Sequence, residues 1–279
     1  MKEPQLNTLA LQLLKKQTKE WPLAAANYAA LAHVKTKTLS INGFNFVVQF
    51  NPARITSSAA PTDPQSIQSR PCFLCPHLLS PQQEQLPFTA QSGNPYMILC
   101  NPYPIFPQHL TIPDCHHTDQ RISGRVDDML ELAEQLTDFV LFYNGSKSGA
   151  SAPDHFHFQA GNKGFLPIQS LIESGASLTH YPAPALVFTT GQIDAAAAYL
   201  HQEPEPMLNL LCWKSEHTFY VVVFPRKQHR PSQFFATGDA NILLTPGTID
   251  LGGVLITPLE KDFCKLTAAD VLDIFTQIS

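Results

Sequence analysis

One strand-like segment constrains the fold of this chain more than any other, namely HFHFQA at residues 155–160. Successive side chains of a β-strand point to opposite faces of the sheet. The segment therefore has an apolar face and a polar face, which are respectively Phe156, Phe158, Ala160 and His155, His157, Gln159. The pattern predicts a strand that covers a core on one side and presents two imidazoles and an amide on the other.

A turn rich in small residues, GSKSGASAPD at residues 145–154, comes directly before this strand. Backbone N–H groups that small residues leave accessible, together with hydroxyls and an amide, form a concavity that binds an oxyanion. The candidate substrate contacts are Asn144, Lys147, Ser148, Gly149 and Ser151. A phosphate site beside the two histidines follows from this arrangement.

An imidazole next to a bound phosphate can act as a nucleophile. Neutral His157 can attack an α-phosphorus and form a phosphoramidate, which divides one displacement into two steps. Gln159 can donate its amide N–H to the phosphoryl oxygens but cannot supply a proton. A good leaving group such as phosphate, or another proton donor, is then required. The alternative interpretation is that both histidines are polar residues on a half-exposed strand.

The rest of the chain shows periodicities of both helices and strands. We predict a helix at 6–16, a hairpin at 38–50 with its turn at Asn42-Gly43, a loop at 51–71, paired strands at 95–117, a helix at 126–139 and a strand at 140–144. Residues 207–229 again suggest two strands. Because His117 follows Pro113 at the same offset as His229 follows Pro225, we expect a duplicated unit with chemistry in the first copy.

Composition narrows the classes of function. The net charge of −5 over 279 residues argues against a general nucleic-acid binder. No segment approaches the roughly 18 apolar residues of a membrane helix, and the first residues do not resemble a signal peptide. We therefore expect a cytoplasmic protein whose six cysteines are reduced.

The central motif also resembles a known family. The stretch FYNGSKSGASAPDHFHFQA is similar to the signature of the transferase branch of the histidine-triad superfamily, which includes diadenosine tetraphosphate phosphorylase, galactose-1-phosphate uridylyltransferase and GDP-L-galactose phosphorylase. The resemblance implies that His157 is the nucleotidylated nucleophile and that Gln159 holds the nucleotidyl phosphate. It also implies phosphate contacts at Ser151 and Asn144.

This resemblance, extended loosely over about two thirds of the chain, implies an α+β fold of two related halves, each with antiparallel sheet and packed helices. The expected divisions are an N-terminal helix, hairpin and loop at 1–65, a catalytic half at 66–165, and a non-catalytic half at 166–279 packed on the first. We expect the two halves to share a core.

A C-x-x-C motif, CFLC at residues 72–75, is a moderate signal for a metal site. In relatives of this family such a motif holds zinc together with a histidine after a strand and the first histidine of H-x-H. The matching residues are Cys72, Cys75, His155 and either His116 or His117, of which we prefer His117. The metal would be structural, and no organic cofactor is expected. The alternative is a pair of reduced cysteines, with His155 hydrogen-bonded instead.

The densest basic cluster is FPRKQHR at residues 224–230, where Arg226 is a candidate phosphate contact. A solvated strand end explains the same cluster equally well.

The sequence thus predicts a nucleotidyltransferase of the phosphorylase type that acts through a nucleotidyl-histidine. Its substrate would be a nucleoside diphosphate sugar or a dinucleoside polyphosphate, with inorganic phosphate as the acceptor. Neither nucleic acid nor a membrane is an expected partner. A homodimer is compatible with the sequence. The alternatives are a nucleotide hydrolase, a hexose-1-phosphate uridylyltransferase and a non-catalytic nucleotide-binding protein.

Overall fold

The chain folds as the predicted α+β protein in a computed structural model that describes residues 5–59 and 63–279. The described strands are β1 (Lys35–Ile41), β2 (Phe44–Phe50), β3 (Gln85–Thr89), β4 (Pro95–Cys100), β5 (His109–Pro113), β6 (Phe139–Asn144), β7 (His157–Asn162), β8 (Leu186–Thr189), β9 (Leu208–Ser215), β10 (Thr218–Pro225) and β11 (Val254–Thr257). The described helices are α1 (Leu6–Glu20), α2 (Pro22–Leu31), α3 (Ile55–Ser58), α4 (Pro64–Ser69), α5 (Val126–Gln135), α6 (Pro167–Glu173), α7 (Ile193–Leu200), α8 (Ser232–Phe235), α9 (Thr248–Leu251), α10 (Glu260–Lys265) and α11 (Ala268–Ile278).

Eight of these strands form one sheet that runs through both halves of the sequence. Their order is β3-β4-β5-β7-β6-β9-β10-β8, and neighbouring strands are antiparallel. The first half joins the second where β6 pairs with β9, with Asn144 opposite Asn209. The halves therefore share both a sheet and a core, while the boundaries at residues 65 and 165 stay predictions.

A second, smaller sheet joins the N-terminal hairpin to the C-terminal part of the chain. In it, β2 pairs antiparallel with β1 and parallel with β11, so that Val47 lies opposite Val254. The strands of the predicted second copy are therefore divided between two sheets. β9 and β10 belong to the large sheet, whereas β11 belongs to the small one.

Each face of the large sheet covers its own core. Helices α1 and α5 pack on the face that carries Phe156, Phe158 and Ala160. The small sheet and α11 cover the opposite face. Both phenylalanines are 0% exposed, and burying each ring contributes about 1.5–3 kcal/mol. A slip of one residue would turn these rings to the wrong face, so their burial fixes the register of β7.

Several local predictions are confirmed. The helix predicted at 6–16 is α1, and the hairpin predicted at 38–50 is β1 and β2. Its turn residues Asn42 and Gly43 have φ angles of 52° and 85°, the left-handed values that a two-residue hairpin turn needs.

Two predicted elements are corrected by the structure. The helix predicted at 126–139 ends at Gln135, because Phe139 already pairs with Asn162 in β7. The loop predicted at 51–71 contains a 3-10 turn at Pro52–Arg54 and helices α3 and α4, while its residues 60–62 lie outside the described part. Pro52 and Pro64 start helical segments, where a missing N–H costs nothing.

No helix within residues 5–59 and 63–279 is both long and apolar enough to cross a bilayer.

Candidate active site

A cavity of about 470 Å³ opens where β6 ends and β7 begins. Five of the predicted site residues line this cavity: Asn144, Gly149, Ser151, His157 and Gln159. The first half contributes them through two strand ends and the turn between those ends. The second half contributes the segment 245–250 to the wall. Both halves therefore build the site.

The ring of His157 has its two nitrogens in different environments. Nδ1 donates a hydrogen bond of 2.9 Å to the backbone oxygen of His155. This bond places the ring proton on Nδ1 and leaves the lone pair on Nε2, the atom that remains for the cavity. Burial lowers the pKa of His157 to about 4, so the ring is uncharged at neutral pH. Its tautomer and charge are those of a nucleophile.

Gln120 holds the backbone of His157 on both sides and is a residue that the sequence analysis missed. Its Oε1 accepts a bond of 2.8 Å from the His157 N–H. Its Nε2 donates to the backbone oxygens of His157 (3.1 Å) and Asn144 (2.9 Å). This buried amide therefore bridges β6 and β7 just beyond their last ladder pair, Phe142 with Gln159.

The amide of Gln159 is oriented by His109. The backbone N–H of Ile105 donates to His109 Nδ1 (3.2 Å), and His109 Nε2–H donates to Gln159 Oε1 (3.1 Å). Burial and the charge of Arg54 lower the pKa of His109 to about 3, which keeps this pattern at neutral pH. The Gln159 oxygen is occupied in this way, so its Nε2 is the atom available to a ligand in the cavity.

Asn144 is oriented by the second half. Its Oδ1 accepts hydrogen bonds from Asn209 Nδ2 (2.7 Å), the Thr248 N–H (2.8 Å) and Thr248 Oγ1 (2.7 Å). The two N–H donors on this oxygen assign the other atom, Nδ2, as the donor left for the cavity; the single Thr248 hydroxyl proton is shared with the Tyr143 oxygen, 2.8 Å away. The sequence predicted Asn144 as a contact but gave no sign of these distant partners.

The turn before β7 needs glycine at position 149. Gly149 has φ +100°, a conformation that side chains rarely adopt. A Cβ there would lie 3.3 Å from Gly247 Cα and 3.3 Å from the Pro246 oxygen. Two backbone segments, one from each half, therefore approach each other closely at the cavity wall.

Three predicted substrate contacts lie elsewhere. Lys147 is exposed and Ser148 is buried, and neither is among the described residues that line the cavity. Arg226 is also outside this lining and its guanidinium is held by Asn209 Oδ1 and by four backbone oxygens, those of Ile278, Pro246, Gln228 and His229. Arg226 thus supports Asn209, which in turn holds Asn144. Direct binding by these three residues has no support in this geometry.

His155 does not continue the row of His157 and Gln159 along the strand. It precedes β7, and its ring enters a cluster with Cys72, Cys75 and His117. The four candidate ligand atoms all lie within 4.8 Å of one another. His155 Nδ1 lies 3.2 Å from Cys72 Sγ and 3.7 Å from Cys75 Sγ, and His117 Nδ1 lies 3.3 Å from Cys75 Sγ.

These residues fit a tetrahedral zinc ion. Zn–S bonds of about 2.3 Å and Zn–N bonds of about 2.0–2.1 Å put ligand atoms at roughly the separations seen here. His155 Nε2–H donates to the Asp114 backbone oxygen (2.8 Å), which turns Nδ1 toward the thiols as an orienting partner should. His116 lies outside the cluster, with its side chain 73% exposed. The geometry therefore favours His117 over His116.

The pKa shifts of the Cys72 and Cys75 thiols are also consistent with a cation bound between them. Burial raises the pKa of Cys72, but the hydrogen bond with His155 and other neighbours outweigh it and place the pKa below its ordinary value. Burial and the neighbouring Cys72 raise the pKa of Cys75. One thiolate thus opposes a second, and a divalent ion between them would remove this repulsion.

Comparison with known proteins places the chain in a family. The model described as "Domain of unknown function (DUF4922)" matches residues 13–162, more than half of the sequence. The chain belongs to this family. The match includes the cysteine motif, the turn and β7 of this DUF4922 protein. No curated protein matches it significantly in sequence.

Solved structures similar to this DUF4922 protein include three of yeast Ap4A phosphorylase Apa2. The structure of Apa2 shares 18% identity at a TM-score of 0.63, covering 97% of both chains. The Apa2 complex with AMP shares 17% identity at 0.61, covering 96% of both. The Apa2 complex with Ap4A shares 19% at 0.62, covering 96% of this chain and 97% of Apa2. The histidine-triad-like fold inferred from the motif is therefore confirmed.

Proposed function

We propose that this protein is a nucleotidyltransferase of the phosphorylase type, which transfers a nucleoside monophosphate through a covalent bond to His157. The observation that carries this proposal is the His157 ring, uncharged and with Nε2 left for a cavity that the glycine-containing turn also lines. A ring sealed in the core, or one directed away from that turn, could not attack a bound phosphate.

The residues around His157 supply what such an attack needs. Gln159 Nε2 and Asn144 Nδ2 are two amide donors whose partner oxygens are occupied, so they can bind phosphoryl oxygens as negative charge develops there. Both are held in place before substrate binds, which lowers the reorganisation needed during reaction. Neither amide can protonate a leaving group, so the reaction requires one that departs as an anion, such as a phosphate.

The fold favours one of the two predicted substrate classes. Yeast Apa2 is an Ap4A phosphorylase and has been solved with AMP and with Ap4A. A cavity of about 470 Å³ is within the range of pockets that hold ligands of nucleotide size. We therefore propose a dinucleoside polyphosphate as the substrate and inorganic phosphate as the acceptor. A cytoplasmic location and a homodimer stay predictions.

We further propose that Cys72, Cys75, His117 and His155 hold a structural zinc ion. A zinc ion there supplies a cross-link between the loop at 72–75 and the start of β7. The chain's own contribution is to hold the His155 backbone oxygen, which accepts the hydrogen bond from His157 Nδ1–H, at a fixed position.

The test of the transfer reaction is a search for the covalent intermediate. The protein is incubated without phosphate with Ap4A or with a nucleoside diphosphate sugar, and intact mass is measured at neutral pH because phosphoramidates are labile to acid. We expect the protein to gain the mass of one nucleotidyl group, which is a nucleoside monophosphate less one water, and to lose it when phosphate is added. Steady release of nucleoside monophosphate without phosphate would identify a hydrolase instead, and tight binding without any adduct would identify a non-catalytic nucleotide-binding protein.

A glycine substitution tests the turn itself. Gly149→Ala should lower the rate of adduct formation roughly 100-fold, as loss of an oxyanion contact does, because the new Cβ pushes against Pro246 and Gly247. Gly93→Ala is the matched control, since Gly93 has φ +91° but open space around its Cβ position. Both variants should lose roughly 1–2 kcal/mol of stability through backbone strain. Equal rates in the two variants would show that the turn does not hold the phosphate.

A further inference from the structure

Arg54 brings a positive charge to the wall of the same cavity. It ends the 3-10 turn Pro52–Arg54 that follows β2, and its side chain lines the cavity. Within residues 5–59 and 63–279 its guanidinium makes one hydrogen bond, from Nη1 to the Tyr103 oxygen at 2.7 Å. Its Nε is buried and has no partner there. A guanidinium carries five N–H donors, so most of them remain for a ligand.

No carboxylate of the described residues forms an ion pair with Arg54. The acidic residue that stabilises its charge is Asp250. Both oxygens of Asp250 already accept backbone N–H groups, from Gly247 (2.9 Å) and Ile256 (3.0 Å). Burial also raises the pKa of Asp250 to about 6. A partly buried cation without a direct counter-ion is costly, and an anionic ligand removes that cost.

Arg226 provides an internal comparison. Burial lowers the pKa of both arginines to about 10. The guanidinium of Arg226, however, is surrounded by five oxygen acceptors and lies outside the cavity lining. The N–H donors of Arg226 therefore have acceptors within the protein, and its role is structural. Most N–H donors of Arg54 have no acceptor among the described residues, and its side chain lines the cavity.

Short contacts connect Arg54 to the phosphoryl site. Tyr103, which accepts the Arg54 bond, donates its N–H to Asn101 Oδ1 (2.9 Å). Asn101 Nδ2 in turn lies 3.5 Å from Gln159 Oε1. The charge of Arg54 also lowers the pKa of His109, which contacts the same Gln159 oxygen. Arg54 thus lines the same cavity as Gln159 and is connected with it through Tyr103 and Asn101.

The proposed reaction needs one anion subsite in addition to this phosphoryl site. In the first step His157 Nε2 forms a P–N bond while the P–O bond to the leaving phosphate breaks, and that phosphate departs with the electron pair. In the second step an oxygen of the entering phosphate forms a P–O bond, and the P–N electrons return to Nε2. In-line displacement puts both phosphates opposite His157, so they occupy the same place in turn.

We infer that Arg54 forms this subsite and binds the phosphate that leaves and the phosphate that enters. The inference rests on the proposed function and specifies its acceptor, because a guanidinium fork recognises phosphate rather than water. The ligand class is a phosphate or the terminal phosphate of a polyphosphate chain.

Binding of inorganic tripolyphosphate, measured by calorimetry, tests this subsite without any need for turnover. Arg54→Met should weaken binding about tenfold or more, since a charged hydrogen-bonding partner is lost. Arg54→Lys retains the charge but not the two parallel N–H donors of a guanidinium. Its affinity for tripolyphosphate should therefore lie between those of the unchanged protein and Arg54→Met. If Arg54→Met does not fold, the weaker binding of Arg54→Lys relative to the unchanged protein still tests the subsite. Arg121→Met is the matched control, because Arg121 pairs with Glu203 outside the lining of this cavity.

The outcomes separate this inference from the proposed function. Unchanged tripolyphosphate affinity in both Arg54 variants overturns the subsite, even if the His157 adduct forms. Arg54-dependent binding without any adduct supports the subsite and contradicts the transferase. If both proposals hold, Arg54→Lys should also raise the phosphate KM for turnover about tenfold, whereas Arg121→Met should not.

Discussion

Replacing His157 with asparagine should abolish the covalent adduct and reduce turnover by about 10⁴-fold or more, as loss of a nucleophile commonly does. The asparagine amide can still donate to the His155 oxygen in place of Nδ1, so the local backbone contacts survive. What the variant lacks is Nε2, the atom that would form the bond to phosphorus. Nucleotide binding should therefore persist while transfer is lost.

The measurement combines intact mass, turnover and nucleotide affinity in the same preparation. His33→Asn is the matched control, because His33 is exposed and distant in sequence from the site. It should show full adduct formation and normal turnover. An adduct that persists in His157→Asn would mean that another side chain is the nucleophile.

The alternation of side chains in HFHFQA predicted the central strand and its buried face. Such a pattern is local, and the burial of Phe156 and Phe158 confirms it. The same pattern placed His155 beside His157, but the His155 ring lies in the cluster with Cys72, Cys75 and His117 and is not among the described residues that line the cavity. The contact of His155 with the Asp114 oxygen depends on a segment 41 residues away, and no periodicity within the strand encodes it.

The sequence pattern also could not predict the residues that orient His157 and Asn144, because these residues are distant from them along the chain. Gln120 lies 37 residues before His157, and Thr248 lies 104 residues after Asn144. Each is an ordinary polar residue in a loop or short helix, and only the fold shows what it contacts. Arg54 likewise lies in a segment that was predicted to be a loop, with no motif around it.

Charge density along the sequence was a poor guide to the anion site. The basic cluster around Arg226 is the densest of the sequence, with four cationic or imidazole residues within residues 224–230. Arg226 instead donates hydrogen bonds to backbone oxygens in the interior, those of Ile278 and Pro246. Unsatisfied donors, rather than the number of charges, distinguish the arginine that can bind a ligand.

The second large effect should come from the cysteine and histidine cluster. We expect about one zinc ion per chain, and its removal by a chelator should cost about 4 kcal/mol when free zinc is a thousandfold above its dissociation constant. For a chain of this size that corresponds to a fall in Tm of roughly 7 °C. The loop at 72–75 would lose its link to the start of β7, so adduct formation should fall as well.

Paired variants make the zinc prediction specific to its four ligands. Cys72→Ser and His117→Ala should lose the metal, whereas Cys264→Ser and His116→Ala should retain it, because the first control is an exposed thiol and the second an exposed imidazole outside the cluster. Metal content is measured by elemental analysis, and Tm by calorimetry. Protein that binds no zinc at any concentration, with Tm insensitive to chelator, would mean that the reduced cysteines and His155 simply hydrogen-bond to one another. In that case the position of the His155 oxygen, and with it the tautomer of His157, would depend on hydrogen bonds of His155 to the Asp114 oxygen and to the two thiols.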